Sequence, residues 1–249
     1  MAIKPPWLVF GVCAYLIFAL ALVPASIAAK WFVSDTIRLT GVQGTIWSGE
    51  AIRGSLAGVE LENIHWEFMP LDLLAGRITG KFDLVLAGGF VNTEVSATFG
   101  GLMLQKLNAI TNLRILKDFA PIGATQGMVF AQVDRLVIEK NWPIEVVGDF
   151  RLMDVTVAPF APSALGPIPI GSFRLTFSKN SNLRGQIEQL EGPLEVNGMI
   201  QLSPNRAYEL QALVKALPQA SQQLIEGLEL MTGEPNGLGF RAFSLTGSL

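Results

Sequence analysis

The stretch Leu194-Glu-Val-Asn-Gly-Met-Ile-Gln-Leu202 decides the fold class of this 249-residue chain. Its apolar side chains recur at every second position, which is the period of a β-strand with two chemically different faces. The same alternation occurs in residues 208–215 and 82–86. Glycines interrupt the pattern throughout, as they do at turns and at the bulges of a bent sheet. We therefore predict a mainly β protein with an elongated, strongly curved antiparallel sheet, shaped as a groove, an open sandwich or a half-pipe.

Helical spacing is confined to two short segments. Residues 219–231 place apolar side chains three and four positions apart, and Gly233 follows as a C-cap. A weaker pattern predicts a second helix over residues 109–118. Between them, the proline-rich residues 159–171 are the best candidate for a boundary between two lobes.

The N-terminal residues 7–29 form an apolar run of 23 residues without a formal charge. A helix of this length, at about 1.5 Å per residue, would be roughly 35 Å long, enough to cross a hydrocarbon core of about 30 Å. A cleaved secretory signal is the competing interpretation, because residues 26–28 resemble a cleavage site, although signal apolar regions typically have about 7–15 residues. We expect a cytoplasmic tail and a single-pass anchor in residues 1–30, with residues 31–249 on the far side of the membrane.

The charge balance excludes one class of partner. Eighteen basic residues stand against 21 acidic ones, which gives a net charge of −3, so nothing indicates nucleic-acid binding. Charged residues make up only 16% of the chain, against roughly 25% in ordinary soluble domains. The body therefore either buries much of itself or carries an apolar groove or interface.

Residues suited to catalysis are scarce. Cys13, the only cysteine, lies inside the apolar run, which excludes an intrachain disulfide and a thiolate metal site. His65, the only histidine, alternates with apolar neighbours and is expected on the polar face of a strand. We therefore predict no enzyme, no metal site and no cofactor.

Two linked segments are too distinctive for a generic sheet. The first is Gly44-Thr-Ile-Trp-Ser-Gly-Glu-Ala51, and the second is Trp66-Glu-Phe-Met-Pro-Leu-Asp-Leu-Leu-Ala-Gly76. Trp47 lies between two glycines, as a large anchor would in a tight bend. Trp66 ends an alternating strand, and Pro70 is expected to stop its hydrogen-bond ladder.

These segments resemble the protein N family of bacterial type II secretion systems, the N component of the general secretion pathway. That family carries G-T-x-W-S-G-x-A soon after one N-terminal span, followed by W-x-x-x-P-x-x-L-L-x-G. Residues 198–208 and 237–249 also resemble its later elements, whereas residues 100–171 match in pattern alone. The matching motif residues are Gly44, Thr45, Trp47, Ser48, Gly49, Trp66, Pro70, Leu74 and Gly76.

The resemblance implies an inner-membrane protein of a Gram-negative cell with its β-rich domain in the periplasm. It implies an accessory subunit that supports export of folded proteins from the periplasm across the outer membrane. The expected partners are other inner-membrane components, above all the C component, and the family supplies no catalytic residues. Sheet edges are natural contact sites because their backbone groups are unpaired. The candidate contact residues are Trp47, Trp66 and Phe160.

A different function remains open from the residues alone, namely a membrane-anchored carrier of lipid or another hydrophobic ligand. A sheet curled into a half-pipe would expose one apolar face to an acyl chain, and the low charge fraction fits this shape. A continuous apolar groove would indicate the carrier, and a filled sandwich the assembly subunit. The expected lining residues are Phe82, Leu84, Leu86, Leu194, Val196 and Ile200.

Overall fold

The computed structural model describes residues 6–32, 37–56, 58–86, 88–118, 124–158, 166–179 and 181–248. The chain divides into two compact units, residues 1–86 and residues 87–249. Antiparallel strands dominate both units, with a few short helices between them. The mainly β, antiparallel prediction is confirmed, and the groove or half-pipe shape stays a prediction.

Within its described residues, the first unit contains two α-helices, five strands and one 3-10 helix. In chain order these are α1 (Pro6–Ala21), α2 (Ala25–Phe32), β1 (Ile37–Thr40), β2 (Gln43–Gly44), β3 (Ser48–Leu56), β4 (Val59–Met69), the 3-10 helix Pro70–Ala75 and β5 (Ile78–Leu86).

The strands of the first unit pair in the order β1, β3, β4, β5, and β2 pairs with the beginning of β3. Strand β4 carries a bulge at Asn63, whose φ of 48° lies in the left-handed region. The extra residue changes the phase of the alternation, so Leu61 and Ile64 both turn inward although three positions apart. Pro70 ends the ladder of β4, as predicted.

The N-terminal apolar run forms two helices rather than one, since α1 ends at Ala21 and α2 begins at Ala25. Pro24 lies between them and makes an isolated β-bridge with Thr45. Among the described helices, none combines the length and the apolar character that a membrane span needs. The anchor stays a prediction.

The second unit contains nine strands, one α-helix and one 3-10 helix among its described residues. These are β6 (Gly89–Thr98), β7 (Gly101–Asn112), the 3-10 helix Leu113–Asp118, β8 (Ala124–Glu139), β9 (Trp142–Val157), β10 (Ile168–Phe177), β11 (Arg184–Glu191), β12 (Leu194–Leu202), β13 (Ala207–Ala216), α3 (Gln222–Met231) and β14 (Arg241–Ser248). Each strand pairs antiparallel with the next one in the chain, from β6 to β14.

Helix α3 packs on part of one face of these strands and contributes Leu224 to a buried core. The hydroxyl of Ser221 accepts a hydrogen bond from the Leu224 amide and caps the N-terminus, as Ser does at this position. Thr232, rather than the predicted Gly233, takes the C-cap position. The core cluster formed by Leu224 of the helix and the strands beneath it is called here the α3 core, and its other members are Val157, Ile168, Leu194 and Val214.

The α3 core corrects part of the predicted ligand groove. Leu194 is buried there and Val196 packs against it, so neither side chain is open to an acyl chain. The alternation of β12 was predicted correctly, but the part of its apolar face at Leu194 and Val196 is covered by α3 of the same chain, whereas Ile200 lies outside this cluster. Sequence spacing alone cannot tell whether an apolar strand face is covered by a helix or left for a ligand.

The prediction of a helix over residues 109–118 is wrong for residues 109–112. Strand β7 continues to Asn112, with Ile110 opposite Phe130 and Thr111 opposite Val129 in the ladder with β8. The β-branched Ile110 and Thr111 suit a strand. Only Leu113–Asp118 is helical, as a 3-10 helix.

The predicted lobe boundary at residues 159–171 falls largely outside the described residues, which exclude 159–165. Strands β9 and β10, on either side of it, pair with each other within the second unit.

Candidate functional site

The first of the two distinctive segments folds into a tight loop between β2 and β3, called here the tryptophan loop (residues 44–49). The amide of Thr45 donates to the Ser48 carbonyl at 2.9 Å. The hydroxyl oxygen of Thr45 accepts from the amides of Trp47 and Ser48 at 3.3 and 3.2 Å. One threonine therefore closes the loop with both its backbone and its side chain, as Ser and Thr do in such turns.

Glycines at both ends of the tryptophan loop allow it to close. Gly44 has a φ of 86°, and a Cβ there would lie 2.6 Å from the Ser48 carbonyl oxygen. A Cβ on Gly49 would lie 2.5 Å from the Gln43 carbonyl oxygen and 2.6 Å from the Trp66 ring. Any side chain would therefore force the two strands and the indole apart.

The tryptophan loop holds the C-terminal end of α1. The indole N–H of Trp47 donates to the Leu20 carbonyl at 2.9 Å, and the Ile46 amide donates to the Val23 carbonyl at 3.0 Å. The last four carbonyls of a helix have no partner within the helix, and Leu20 supplies one of them. Trp47 therefore acts as a C-terminal cap for α1, provided by a residue 27 positions further along the chain.

The second tryptophan supports the loop from β4. The indole N–H of Trp66 donates to the Thr45 carbonyl at 3.3 Å, and the Phe68 amide donates to the Trp47 carbonyl at 2.6 Å. Phe68 in turn packs edge to face with Phe82 of β5, their ring centres 5.5 Å apart. A continuous series of contacts thus runs from α1 through the tryptophan loop and β4 to β5.

The 3-10 helix that follows β4, called here the leucine turn (Pro70–Ala75), is fastened at its base. Arg77 bonds to Asp72 through its guanidinium at 3.2 Å and through its amide, which donates to the Asp72 carbonyl at 3.2 Å. Gly76 ends the helix in the left-handed conformation, and its amide donates to the Leu73 carbonyl. Hydrogen bonding to Thr79 and then to Arg77 holds the pKa of the Asp72 carboxyl below its usual value.

His65 lies on the solvent face of β4, as predicted. It faces Glu50 across the β3–β4 ladder, with 3.0 Å between Nε2 and the carboxylate, and both side chains are about half exposed. An exposed cross-strand pair of this kind contributes little to stability.

The structure thus brings most of the predicted motif residues to one place. Gly44, Thr45, Trp47, Ser48 and Gly49 form the tryptophan loop, Trp66 contacts it, and Pro70, Leu74 and Gly76 belong to the turn that follows. Both indole N–H groups are used within the chain. Contact of either tryptophan with a partner stays a prediction, and Phe160 lies outside the described residues.

Sequence reasoning missed two parts of this site. The first is the backbone of Leu20 and Val23, which receives the loop; a carbonyl acceptor leaves no mark in the sequence. The second is the Asp72–Arg77 pair. A signal for it existed, because a Pro followed by Asp two positions later is typical of a helical N-terminus.

Fold and site together define a β-sheet protein that fixes an apolar N-terminal helix to one end of its first sheet. A family model described as type II secretion system (T2SS), protein N, matches residues 35–244. The chain therefore belongs to the type II secretion system protein N family.

Curated relatives agree with this assignment. Type II secretion system protein N of Aeromonas hydrophila is 27% identical over 234 residues, and that of Vibrio cholerae serotype O1 is 23% identical over 237 residues. Both alignments cover 91% of each chain. The Klebsiella pneumoniae protein of the same name is 44% identical over 54 residues, 22% of this chain and 21% of that one. The comparison with solved structures found none that matches.

Proposed function

We propose that this chain is a non-enzymatic accessory subunit of the type II secretion system at the inner membrane. In this role it supports export of folded proteins from the periplasm across the outer membrane through contacts with other subunits. The observation that carries the proposal is the bond between the Trp47 indole and the end of α1, built by the residues of the family motif. Because the strands of the first unit are bound to α1 in this way, the location of α1 determines where they lie.

The proposed location is the inner membrane, with the N-terminus in the cytoplasm and the body in the periplasm. The surface of α1 supports a lipid environment, since Phe10 is 73% exposed and Phe18 is 68% exposed. Large apolar side chains displayed together are unfavourable in water and mark interaction surfaces. Lys30 follows the apolar run at the proposed outer face of the membrane.

The proposed contact with a secretion partner is the free edge of β14. This strand ends the strand order of the second unit, and its ladder partner among the described strands is β13. Beyond Arg241 it contains no charge and no proline, the two devices that commonly block an edge. An extended segment of the C component would add to it as a further strand.

A secretion assay tests the proposal. A strain that lacks this chain should retain folded substrate in the periplasm, and the wild-type gene should restore export. A photocrosslinking residue at Leu245, in the middle of β14, should capture the C component, whereas the same residue at Leu56 should not. Normal export in the deleted strain, with no crosslink from Leu245, would refute the proposed function.

The carrier hypothesis receives less support from this chain. Two of its six expected lining residues, Leu194 and Val196, pack beneath α3. A lipid that co-purifies with the protein and protects the second unit from hydrogen exchange would support the carrier hypothesis.

A further inference from the structure

The leucine turn displays its apolar side chains instead of burying them. Leu71 is 77% exposed, Leu74 is 88% exposed, and Leu73 between them is 43% exposed. Leucine is among the residues most often buried, so three exposed leucines on one six-residue turn are unusual. Leu74 belongs to the family motif, yet the fold of this chain gains little from its side chain.

Hydrogen bonds and an ion pair hold the base of the same turn. Asp72 is directed back towards Arg77 and Thr79, and Gly76 closes the helix through the Leu73 carbonyl. The charge of the one carboxylate in the turn is therefore balanced by Arg77, and the leucines project from a base held by hydrogen bonds. A preorganised apolar surface of this kind loses little conformational entropy when it is covered.

The position of the turn indicates what covers it. Phe68, two residues before Pro70, donates its amide to the Trp47 carbonyl, and the Trp47 indole binds the Leu20 carbonyl at the end of α1. The turn and the C-terminal end of α1 therefore lie at the same end of the first sheet. The opposite end carries the β3–β4 hairpin, at Leu56 and Val59.

We propose that the leucine turn inserts into the lipid surface beside α1 and forms a second membrane contact of the first unit. The inference rests on the proposed membrane placement of α1, whose C-terminal end lies at the same end of the strands as the turn. Leu71 and Leu74 enter the acyl boundary, while the half-exposed Arg77 remains at the level of the phosphate headgroups. With contacts at both α1 and the turn, the first sheet is held in one orientation above the bilayer.

Site-specific fluorescence in the full-length chain tests this. With Cys13 replaced by Ala, single cysteines at Leu74, Leu56 and Phe10 receive an environment-sensitive dye, and the protein is reconstituted into vesicles of phosphatidylethanolamine with a minority of phosphatidylglycerol. Leu56 is a matched control because it is also exposed, at 48%, and lies eight residues along β3 from Ser48, roughly 26 Å at about 3.3 Å per residue.

We expect nitroxide lipids to quench the dye at Leu74 and at Phe10 several-fold more than the dye at Leu56. A water-soluble quencher should give the reverse order. As a second measurement, the double variant Leu71→Ser, Leu74→Ser should reduce several-fold the lipid quenching of a dye at Ile78, which is 52% exposed and follows Arg77 directly, so that the Asp72–Arg77 pair stays intact. Both leucines are exposed, so this variant is expected to retain the fold.

The outcomes separate this inference from the proposals on which it rests. Lipid quenching at Phe10 without quenching at Leu74 would overturn the inference and leave the placement of α1 intact. Quenching at neither position would overturn both. Protection of Leu74 only in native envelopes and not in vesicles would mean a protein partner and would also overturn it. Lipid quenching at Leu74 supports the inference even where the secretion assay shows no role in export.

Discussion

The tryptophan loop and the α3 core hold the chain together by different means. The α3 core joins Leu224 of the helix, which is 1% exposed, to four buried aliphatic side chains of the strands beneath it. The tryptophan loop joins helix and sheet through hydrogen bonds to backbone carbonyls, made by indole and amide N–H groups. Apolar burial is non-directional, whereas an indole hydrogen bond fixes one geometry. The core therefore provides stability, and the loop provides position.

The largest expected effect tests the core. Leu224→Ala should lower the free energy of unfolding by about 2–5 kcal/mol, because it removes a fully buried side chain and leaves a cavity. Chemical denaturation followed by circular dichroism measures this. Leu230→Ala on the same helix is the matched control, since Leu230 is 78% exposed, and it should change stability by less than about 0.5 kcal/mol. Equal effects would mean that α3 is not the source of stability.

The next effect tests the packing of the tryptophan loop. Gly49→Ala places a methyl group against the Trp66 ring and the Gln43 carbonyl, and should cost about 1–3 kcal/mol. Gly237→Ala is the control, because a Cβ there meets no atom within 4 Å. Hydrogen exchange should rise around residues 43–49 in the first variant alone. Unchanged exchange in that region would show that the loop tolerates separation of its strands.

A smaller effect tests the hydrogen bond from Trp47 to α1 while an aromatic ring is kept at residue 47. Trp47→Phe keeps an aromatic ring but removes the donor to the Leu20 carbonyl, and should cost about 1 kcal/mol. Its main result should be faster hydrogen exchange and faster proteolysis at residues 20–24, with little change in the second unit. Trp7→Phe, at an 82% exposed position, should change neither. Equal protection of residues 20–24 in both variants would contradict the capping role of Trp47.

The smallest effect is a pH dependence at the leucine turn. The pKa of Asp72 is lowered in the folded chain from its usual value of 3.8. Its pairing therefore stabilises the fold above about pH 3.8 and is lost as the pH falls through the lower folded pKa. Asp72→Asn should lose this component, which thermal unfolding between neutral and acid pH measures. Identical pH profiles for the variant and the wild type would exclude a stabilising role for the pair.

The two regions also differ in how far the sequence predicted them. Strands β12 and β13 of the second unit and helix α3 followed from periodicity, because apolar spacing is a local property. The wrong helix at residues 109–112 arose where pairing with β8 overrode a weak helical pattern. The bulge at Asn63 was not predicted, since one residue in the left-handed region follows from its partner strand and not from its neighbours.

The site was predicted as a set of residues but not as a set of contacts. The motif correctly grouped Trp47 with Trp66, and the structure shows that Thr45 connects them. The hydrogen bond from the Trp47 indole to the Leu20 carbonyl could not be predicted from the sequence, because every residue type has the same backbone carbonyl. The exposure of Leu74 was also missed, since a leucine two residues after an aspartate looks the same in a core as on a surface.

The place of α3 in the chain has a consequence for the order of events in synthesis. Strands β9, β10, β12 and β13, which supply Val157, Ile168, Leu194 and Val214, all precede α3. A chain that emerges N-terminus first forms these hairpins as they appear, yet Leu224 cannot cover their apolar side chains until all four strands have been made. The nascent protein therefore passes through an interval in which strands up to β13 are paired while the strand residues of the α3 core are still exposed to water. We expect chaperones to bind the nascent chain during that interval. A chain truncated before residue 222 should keep these apolar residues exposed, because it lacks α3.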